Sequence, residues 1–98
     1  MSLEEIKEKI VPIARDYGVG KLALFGSVAA GVATPESDVD ILIDRITKKG
    51  FFILGALENE LSQALGRRID LSTYGGLERS LFKESILAKE VVIYERHG

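Results

Sequence analysis

The stretch that decides the fold reads LALFGSVAAGVATPESDVDILID at residues 22–44. It begins with a short apolar run of the length of a strand, and a turn at Gly26 and Ser27 follows. Small residues at 28–31 fit one short helix, and a proline-containing loop leads to 38–44, where apolar and acidic residues alternate as in a strand. The sequence therefore predicts a strand–turn–helix–strand unit, which the rest of the chain supports.

The elements outside this unit are predicted from hydrophobic periodicity and from residues that start and stop helices. Ser2 and Glu5 fit a capping box, so a helix is expected to begin there. Pro12 should break or kink that helix near Ile10, because proline lacks an N–H and its ring clashes with the preceding turn. Gly18 should end the helix. The other predicted elements are a strand at 21–25, a turn at 47–50, helices at 51–65 and 77–89, a flexible turn at 74–76, and strands at 67–73 and 90–94.

Apolar residues at helical spacing mark the faces that should be buried. The first turn of the helix at 51–65 is apolar all round, because Phe51, Phe52 and Ile53 follow one another. Core packing is our interpretation of this turn, and a surface for a partner or for a second copy of the chain is the alternative. Further residues predicted to be buried are Leu3, Ile6, Ile10, Ile13 and Tyr17 in the first helix, and Leu81, Ile86 and Leu87 in the last.

The order of these elements predicts an α/β (α+β) fold. We expect a small mixed β-sheet of three to four strands with helices packed mainly on one face. A length of 98 residues indicates a single domain over residues 1–98. The 46% content of hydrophobic residues is ordinary for a globular core and argues against disorder.

Composition excludes several classes of function. The chain has no cysteine, which rules out disulfides, thiolate metal sites and cysteine nucleophiles. Its N-terminus lacks a basic stretch followed by an apolar segment, and no apolar run is long enough to span a bilayer, so we expect a cytoplasmic protein without membrane association. A net charge of −2, from 13 basic and 15 acidic residues, disfavours a nucleic-acid partner. The basic pairs at 48–49 and 67–68 are interpreted as solvated.

Acidic residues at strand spacing are the candidates for metal binding. Asp38 and Asp40 are two residues apart on a predicted strand, so they share a face with α-carbons about 6.5 to 7 Å apart. Carboxylate, phosphate and water oxygens are the ligands that Mg²⁺ prefers. If a neighbouring strand brings Asp70 to the same face, three carboxylates could hold two Mg²⁺ ions. The alternatives are that Asp38 merely caps a loop and that Asp70 pairs with Arg67 or Arg68 on the surface.

The turn between the first strand and the short helix is a candidate anion site. A helix N-terminus presents free N–H groups and the positive end of the dipole. Gly26 allows close approach of the backbone, and the Ser27 hydroxyl can donate to a phosphate oxygen. A Gly-Ser pair alone is a weak signal, and its position between a strand and the two aspartates makes it a strong one.

The Gly-Ser turn followed by Asp-x-Asp resembles the signature of the DNA polymerase beta-like nucleotidyltransferase superfamily, and most of all its minimal nucleotidyltransferases. The resemblance is close over 21–44 and looser over 67–72. It implies a polymerase beta-like nucleotidyltransferase core with ATP as substrate and Mg²⁺ as cofactor. Residue by residue, it implies that Gly26 and Ser27 bind the nucleotide phosphates. It also implies that Asp38, Asp40 and Asp70 are the metal-binding and catalytic carboxylates.

One position departs from the family pattern. Minimal nucleotidyltransferases commonly read Gly-Ser-x-Ala-Arg-Gly, whereas this chain has Ala30 in place of the arginine. A guanidinium can bind phosphate with two hydrogen bonds and alanine offers none. Weaker nucleotide binding, a basic residue from elsewhere, or a degenerate enzyme would each account for the departure.

The function that the resemblance implies is transfer of AMP from ATP to a hydroxyl of a partner protein. In the family that partner is often a HEPN-domain toxin, and the nucleotidyltransferase is its antitoxin. The alternative is a weak or inactive protein of the same fold that binds a partner without catalysis. Nucleotide addition to tRNA ends is a third hypothesis, and it needs a basic surface that the composition hardly supplies.

Overall fold

Four strands form one mixed sheet. The computed structural model describes residues 2–32, Thr34, 36–78, 80–81 and 83–96. The strands are β1 (Lys21–Phe25), β2 (Val39–Asp44), β3 (Ile69–Thr73) and β4 (Val91–Glu95), in the order β3-β2-β1-β4. β1 pairs antiparallel with both β2 and β4, whereas β2 and β3 run parallel. The predicted mixed α/β architecture is confirmed.

Two long helices and three short ones accompany the sheet. They are α1 (Leu3–Asp16), α2 (Gly26–Ala30), α3 (Ile53–Leu65), α4 (Tyr74–Leu77) and α5 (Lys83–Lys89). α1 and α3 pack against each other, and both contribute to the buried cluster on one face of the sheet. In the part of the chain that the structure describes, no helix is long and apolar enough to cross a membrane.

The centre of the sheet is buried on both faces. Ile41 and Ile43 of β2 belong to the main core cluster, as the alternation predicts. Leu42 points to the other face, where the sequence places the acidic residues, yet it is fully buried, as is its cross-strand partner Ala23. α4 packs against β2 and β3 and covers this part of the sheet. The acidic face is therefore apolar at its middle and polar towards its ends.

The first helix is one continuous element. Its predicted N-cap is confirmed, since the Ser2 hydroxyl accepts a hydrogen bond from the Glu5 N–H at 3.2 Å, and the Glu5 carboxylate lies 3.4 Å from the same hydroxyl. The predicted break at Pro12 is wrong, because α1 continues through it to Asp16. Pro12 is exposed, while Ile10 and Ala14 on either side are fully buried. Burial on both sides of the proline stabilises the helix by more than the one missing hydrogen bond costs.

The phenylalanines before α3 are on the surface. Phe51 and Phe52 are 103% and 87% exposed, so their interpretation as core residues is wrong. The helix begins only at Ile53, which packs against the core, and Phe52 is its N-cap residue. The pair therefore precedes the buried stripe of the helix and is not part of it. That stripe consists of Leu57, Leu61 and Leu65.

Where the structure describes the segment predicted as one helix at 77–89, the helix is α5 over Lys83–Lys89, and α4 ends at Leu77. α4 occupies the predicted flexible turn, because the Thr73 hydroxyl accepts from the Gly76 N–H at 3.0 Å and caps it. α5 begins only at Lys83. Leu81 is 97% exposed and Leu87 37% exposed, so both predicted core positions are wrong. Leu3 in α1, at 41%, is also more exposed than predicted, and Ile86 is partly buried as expected.

A small polar cluster fixes both ends of the α4–α5 segment to the sheet. Glu90, just after α5, accepts from Lys21 Nζ at 2.9 Å and from the Tyr74 hydroxyl. The Lys21 ammonium also lies 4.9 Å from the centroid of the Tyr74 ring. Burial, and then the hydrogen bond to Glu90, raise the pKa of Tyr74 well above its ordinary value, so the hydroxyl stays protonated and keeps donating.

Candidate active site

The acidic side chains of two neighbouring strands meet near the start of the parallel pair. Asp40 in β2 and Asp70 in β3 are direct partners in the register. Asp38 lies one residue before β2 and is exposed. In the part of the chain that the structure describes, no ion pair joins Asp70 to Arg67 or Arg68. The structure thus places Asp70 beside Asp40, with Asp38 at the solvent edge of the group.

The surroundings of Asp40 favour its protonated form. Partial burial raises the pKa of Asp40 to about 6, and the charge of Asp70, a hydrogen bond between the two carboxyl groups and the charge of Asp38 act in the same direction. A carboxyl group with such a pKa can gain or lose a proton near neutral pH. A cation bound beside the Asp40 carboxyl group would favour its ionised form.

Gly26 is required by its contact with Asp40. It has a φ of 69°, a left-handed conformation that favours glycine. A β-carbon at this position would collide with the Asp40 carboxylate, so only a glycine lets the two come so close. Phe25, the preceding residue, is the cross-strand partner of Asp40 in the β1–β2 pair. The β1–β2 register therefore places the glycine turn beside Asp40, and the β2–β3 register places Asp70 beside Asp40.

The Ser27 side of the turn is open to a ligand. α2 begins at Gly26, and no side chain that the structure describes caps its N-terminus. Ser27 is partly buried, and its carbonyl accepts from the Val32 N–H at 3.0 Å, which closes the short helix. Uncapped N–H groups and a serine hydroxyl at one turn are groups that bind anions.

Arg67 has a role that the sequence does not reveal. Its guanidinium donates to the carbonyl oxygens of Thr34 and Ser37 at 2.6 and 2.9 Å, which fixes the loop that leads into Asp38. The adjacent backbone is held as well, since the Val39 N–H donates to the Arg68 carbonyl at 2.9 Å. The interpretation of Arg67 as merely solvated is therefore wrong. A basic residue just before a strand was its only sequence signal.

Two cavities lie beside this group of residues. One, of about 370 Å³, is lined by Gly26 and Ser27 and is called the turn cavity here. The other, of about 400 Å³, is lined by Asp70 and is called the acid cavity. Phe25 and Ile86 contribute to the walls of both, so the cavities adjoin. Two molecules could therefore approach the acidic pair from neighbouring sides.

The acidic pair suits a divalent cation that also takes ligands from a substrate. Mg²⁺ usually binds one or two carboxylates and completes its shell with phosphate and water oxygens, and Asp40 with Asp70 offers such a pair. Partial burial and the negative charges of Asp70 and Asp38 raise the pKa of Asp40, and a cation bound beside it would favour its ionised form. Among the residues the structure describes, no three or more acidic or histidine side chains form a metal site by themselves. A site for two ions stays a prediction.

Comparisons with known proteins show the family of the chain. Residues 8–98 match the family model of the polymerase beta nucleotidyltransferase domain. A Methanocaldococcus jannaschii protein, MJ0435, named as a candidate protein adenylyltransferase, is 37% identical over 91 residues, which are 93% of this chain and 97% of that one. Protein adenylyltransferase MntA of Thermococcus cleftensis is 32% identical over 96 residues, covering 94% and 95% of the two chains.

Solved structures share the fold. A candidate minimal nucleotidyltransferase superposes with a TM-score of 0.75 at 28% identity, covering 93% of this chain and 95% of that one. A chain from the complex of a tri-AMPylated Shewanella oneidensis HEPN toxin with its MNT antitoxin gives a TM-score of 0.66 at 18% identity, covering 97% and 74%. The latter likeness concerns the fold alone. The chain therefore belongs to the polymerase beta nucleotidyltransferase family and, within it, to the minimal nucleotidyltransferases.

Proposed function

We propose that this protein transfers AMP from ATP to a hydroxyl group of a partner protein. The observation that carries the proposal is the alignment of Asp40 with Asp70 beside the Gly26 turn. This arrangement supplies negative oxygens for a cation and free N–H groups for phosphates at adjoining positions. Relatives that are named protein adenylyltransferases support the reaction class.

The roles of the residues follow from their positions. Gly26 and Ser27 would bind the triphosphate of ATP in the turn cavity, through backbone N–H groups and the serine hydroxyl. Asp38, Asp40 and Asp70 would hold Mg²⁺ together with the phosphate oxygens. Bound there, Mg²⁺ would offset phosphate charge and lower the pKa of the attacking hydroxyl.

The chemical step is a substitution at the α-phosphorus. The oxygen of the acceptor hydroxyl forms a bond to that phosphorus, and the bond to the β-phosphate oxygen breaks, so that pyrophosphate leaves. Asp70 lines the acid cavity, where an acceptor side chain can enter, and it takes the hydroxyl proton. Asp40 would help to hold Mg²⁺ beside Asp70, and phosphate oxygens bound by the same cation would keep the α-phosphorus close to the acceptor hydroxyl.

The acceptor we propose is a HEPN-domain toxin, which makes this protein an antitoxin. The solved complex of a tri-AMPylated HEPN toxin with an MNT antitoxin supports this choice. The proposed use of ATP as substrate supports a cytoplasmic location for the reaction.

The test uses ATP labelled in turn at the α- and the γ-phosphate. Purified protein, Mg²⁺ and a HEPN-domain toxin are incubated with each, and the toxin is examined for label. We expect label from α-labelled ATP only, and none after Asp38→Ala or Asp40→Ala. Label from the γ-position would indicate a kinase, and equal labelling by the variants would refute the proposed roles of the aspartates.

A second candidate function is partner binding without catalysis. The exposed pair Phe51 and Phe52 favours it, because two adjacent phenylalanines in solvent are typical of a contact surface. Calorimetry separates the candidates. A protein that only binds a partner should show no Mg²⁺-dependent affinity for ATP, whereas the enzyme should show it before any partner is added.

A further inference from the structure

The turn cavity contains both the position where the family arginine is missing and a lysine from another helix. Ala30, in α2, lines the wall beside Gly26 and Ser27. Lys89, the last residue of α5, lines the same cavity. The two residues are 59 positions apart in sequence (89 − 30), and α2 and α5 pack together in the fold. Sequence spacing gives no sign of this arrangement.

Lys89 is available to bind a ligand. It is exposed, and it makes no ion pair with any residue that the structure describes. Its acidic neighbour Glu90 is already engaged by Lys21 and Tyr74. Among the described residues that line the turn cavity there is no acidic side chain, so none of them neutralises the positive charge of Lys89.

Three other basic residues that the structure describes near this region have partners elsewhere. Lys83, the first residue of α5, lies 2.6 Å from Glu78. Lys21 is bound to Glu90, and Arg67 holds the loop carbonyls on the far side of Asp38. Among the described residues that line the turn cavity, Lys89 is the one cation.

We propose that Lys89 binds the β- and γ-phosphates of ATP and so replaces the arginine that Ala30 lacks. The proposal rests on the proposed function, since it concerns the same nucleotide site. The small side chain of Ala30 leaves the cavity open between the Gly26 turn and α5, which gives the lysine access to the phosphates. The lysine ammonium is a point charge on a flexible side chain, so it can bind phosphate oxygens without the fixed planar geometry that a guanidinium needs. Ser85, also in the cavity wall, adds a hydroxyl on the α5 side.

The test compares the affinities of Mg²⁺-ATP and AMP by calorimetry. Lys89→Gln should weaken ATP binding about tenfold, the effect of one charge-assisted hydrogen bond, and should change AMP binding less than about twofold, because AMP lacks the outer phosphates. Lys89→Arg should keep wild-type preference for ATP over AMP. Adding Ala30→Arg to Lys89→Gln should restore that preference, which a merely structural role of Lys89 would not allow.

Lys83→Gln is the matched control, since it makes the same change on the same helix at a side chain outside the cavity. It should leave the ratio of ATP to AMP affinity unchanged. An unchanged ratio in Lys89→Gln, or an equal loss for both nucleotides, would overturn the role of Lys89 while leaving the proposed function intact. Failure of the wild-type protein to bind Mg²⁺-ATP at all would overturn both.

Discussion

Asp40 and Asp70 face each other across the parallel β2–β3 pair, and no described cation lies in an ion pair with either. Two carboxylates in this position repel each other when both are ionised. Burial and this repulsion together raise the pKa of Asp40 to about 6. The fold thus contains a locally unfavourable charge arrangement at the point where a cation would bind.

The first prediction concerns stability as a function of pH. The folded protein holds the Asp40 proton more tightly than the unfolded chain, whose carboxyl has the ordinary value of 3.8. Stability contributed by this group is therefore present below about pH 4 and is lost as the pH rises to about 6. Asp40→Asn should be more stable than wild type by about 1 kcal/mol at pH 8, a value reduced for partial solvent exposure, and should show no such gain at pH 4.

Urea unfolding in EDTA at both pH values measures this difference. Asp44→Asn, at the other end of the same strand, is the control, and it should show no gain at pH 8. A gain for Asp40→Asn that is equal at the two pH values would contradict the electrostatic explanation.

The second prediction concerns the contact between Gly26 and Asp40. Gly26→Ala must adopt a left-handed φ and push the Asp40 carboxylate aside, so we expect a loss of about 2 kcal/mol in the free energy of unfolding and weaker Mg²⁺-ATP binding. Gly31→Ala is the matched control, because Gly31 has a similar φ of 76° but no atom within 4 Å of the added carbon. It should lose about 1 kcal/mol and keep its nucleotide affinity. Equal nucleotide affinities in the two variants would rule out the proposed steric role.

The third prediction concerns the loop before Asp38. Arg67→Ala removes two hydrogen bonds to loop carbonyls, so we expect a loss of about 1 to 2 kcal/mol and faster amide hydrogen exchange over 34–38. Arg68→Ala, whose side chain makes neither bond, should leave exchange in the loop unchanged. Mass spectrometry of peptic fragments measures both. Unchanged exchange in Arg67→Ala would show that the loop does not depend on the guanidinium.

The fourth prediction concerns the exposed phenylalanines. Phe51→Ser and Phe52→Ser should each change the free energy of unfolding by less than about 0.5 kcal/mol, since the side chains bury nothing in the isolated chain. Leu57→Ala, at a fully buried position of the helix that follows, should cost about 2 to 5 kcal/mol. Thermal unfolding of the three variants checks the contrast. A large loss at either phenylalanine would restore the core interpretation.

The sequence predicts the fold where local pattern and tertiary packing agree. The alternation at 38–44 and the glycine turn at Gly26 are such cases, because each is determined within a few residues. The structure differs from the sequence-based prediction at two positions. At Pro12, burial of the neighbouring residues outweighs the helix-breaking effect of proline. At Phe51, an apolar side chain is exposed where core packing was predicted.

Only part of the candidate site could be predicted from the sequence, because some of its residues are brought together by long-range packing. Asp38 and Asp40 are two residues apart, so strand geometry alone predicts that they share a face. The placement of Asp70 depends on the parallel register of β3, and that of Lys89 on the packing of α5 against α2. Both are long-range relationships, and no local spacing encodes them.

The most direct test of the account is the mass of the partner protein after reaction. A HEPN-domain toxin is incubated with Mg²⁺-ATP and either wild-type protein, Asp70→Asn or the control Asp44→Asn, and the intact mass of the toxin is measured. We predict one or more AMP additions with wild type and Asp44→Asn, and none with Asp70→Asn. Full modification by Asp70→Asn, or an unmodified partner with the wild-type protein, would contradict the claim that the Asp40–Asp70 pair transfers AMP.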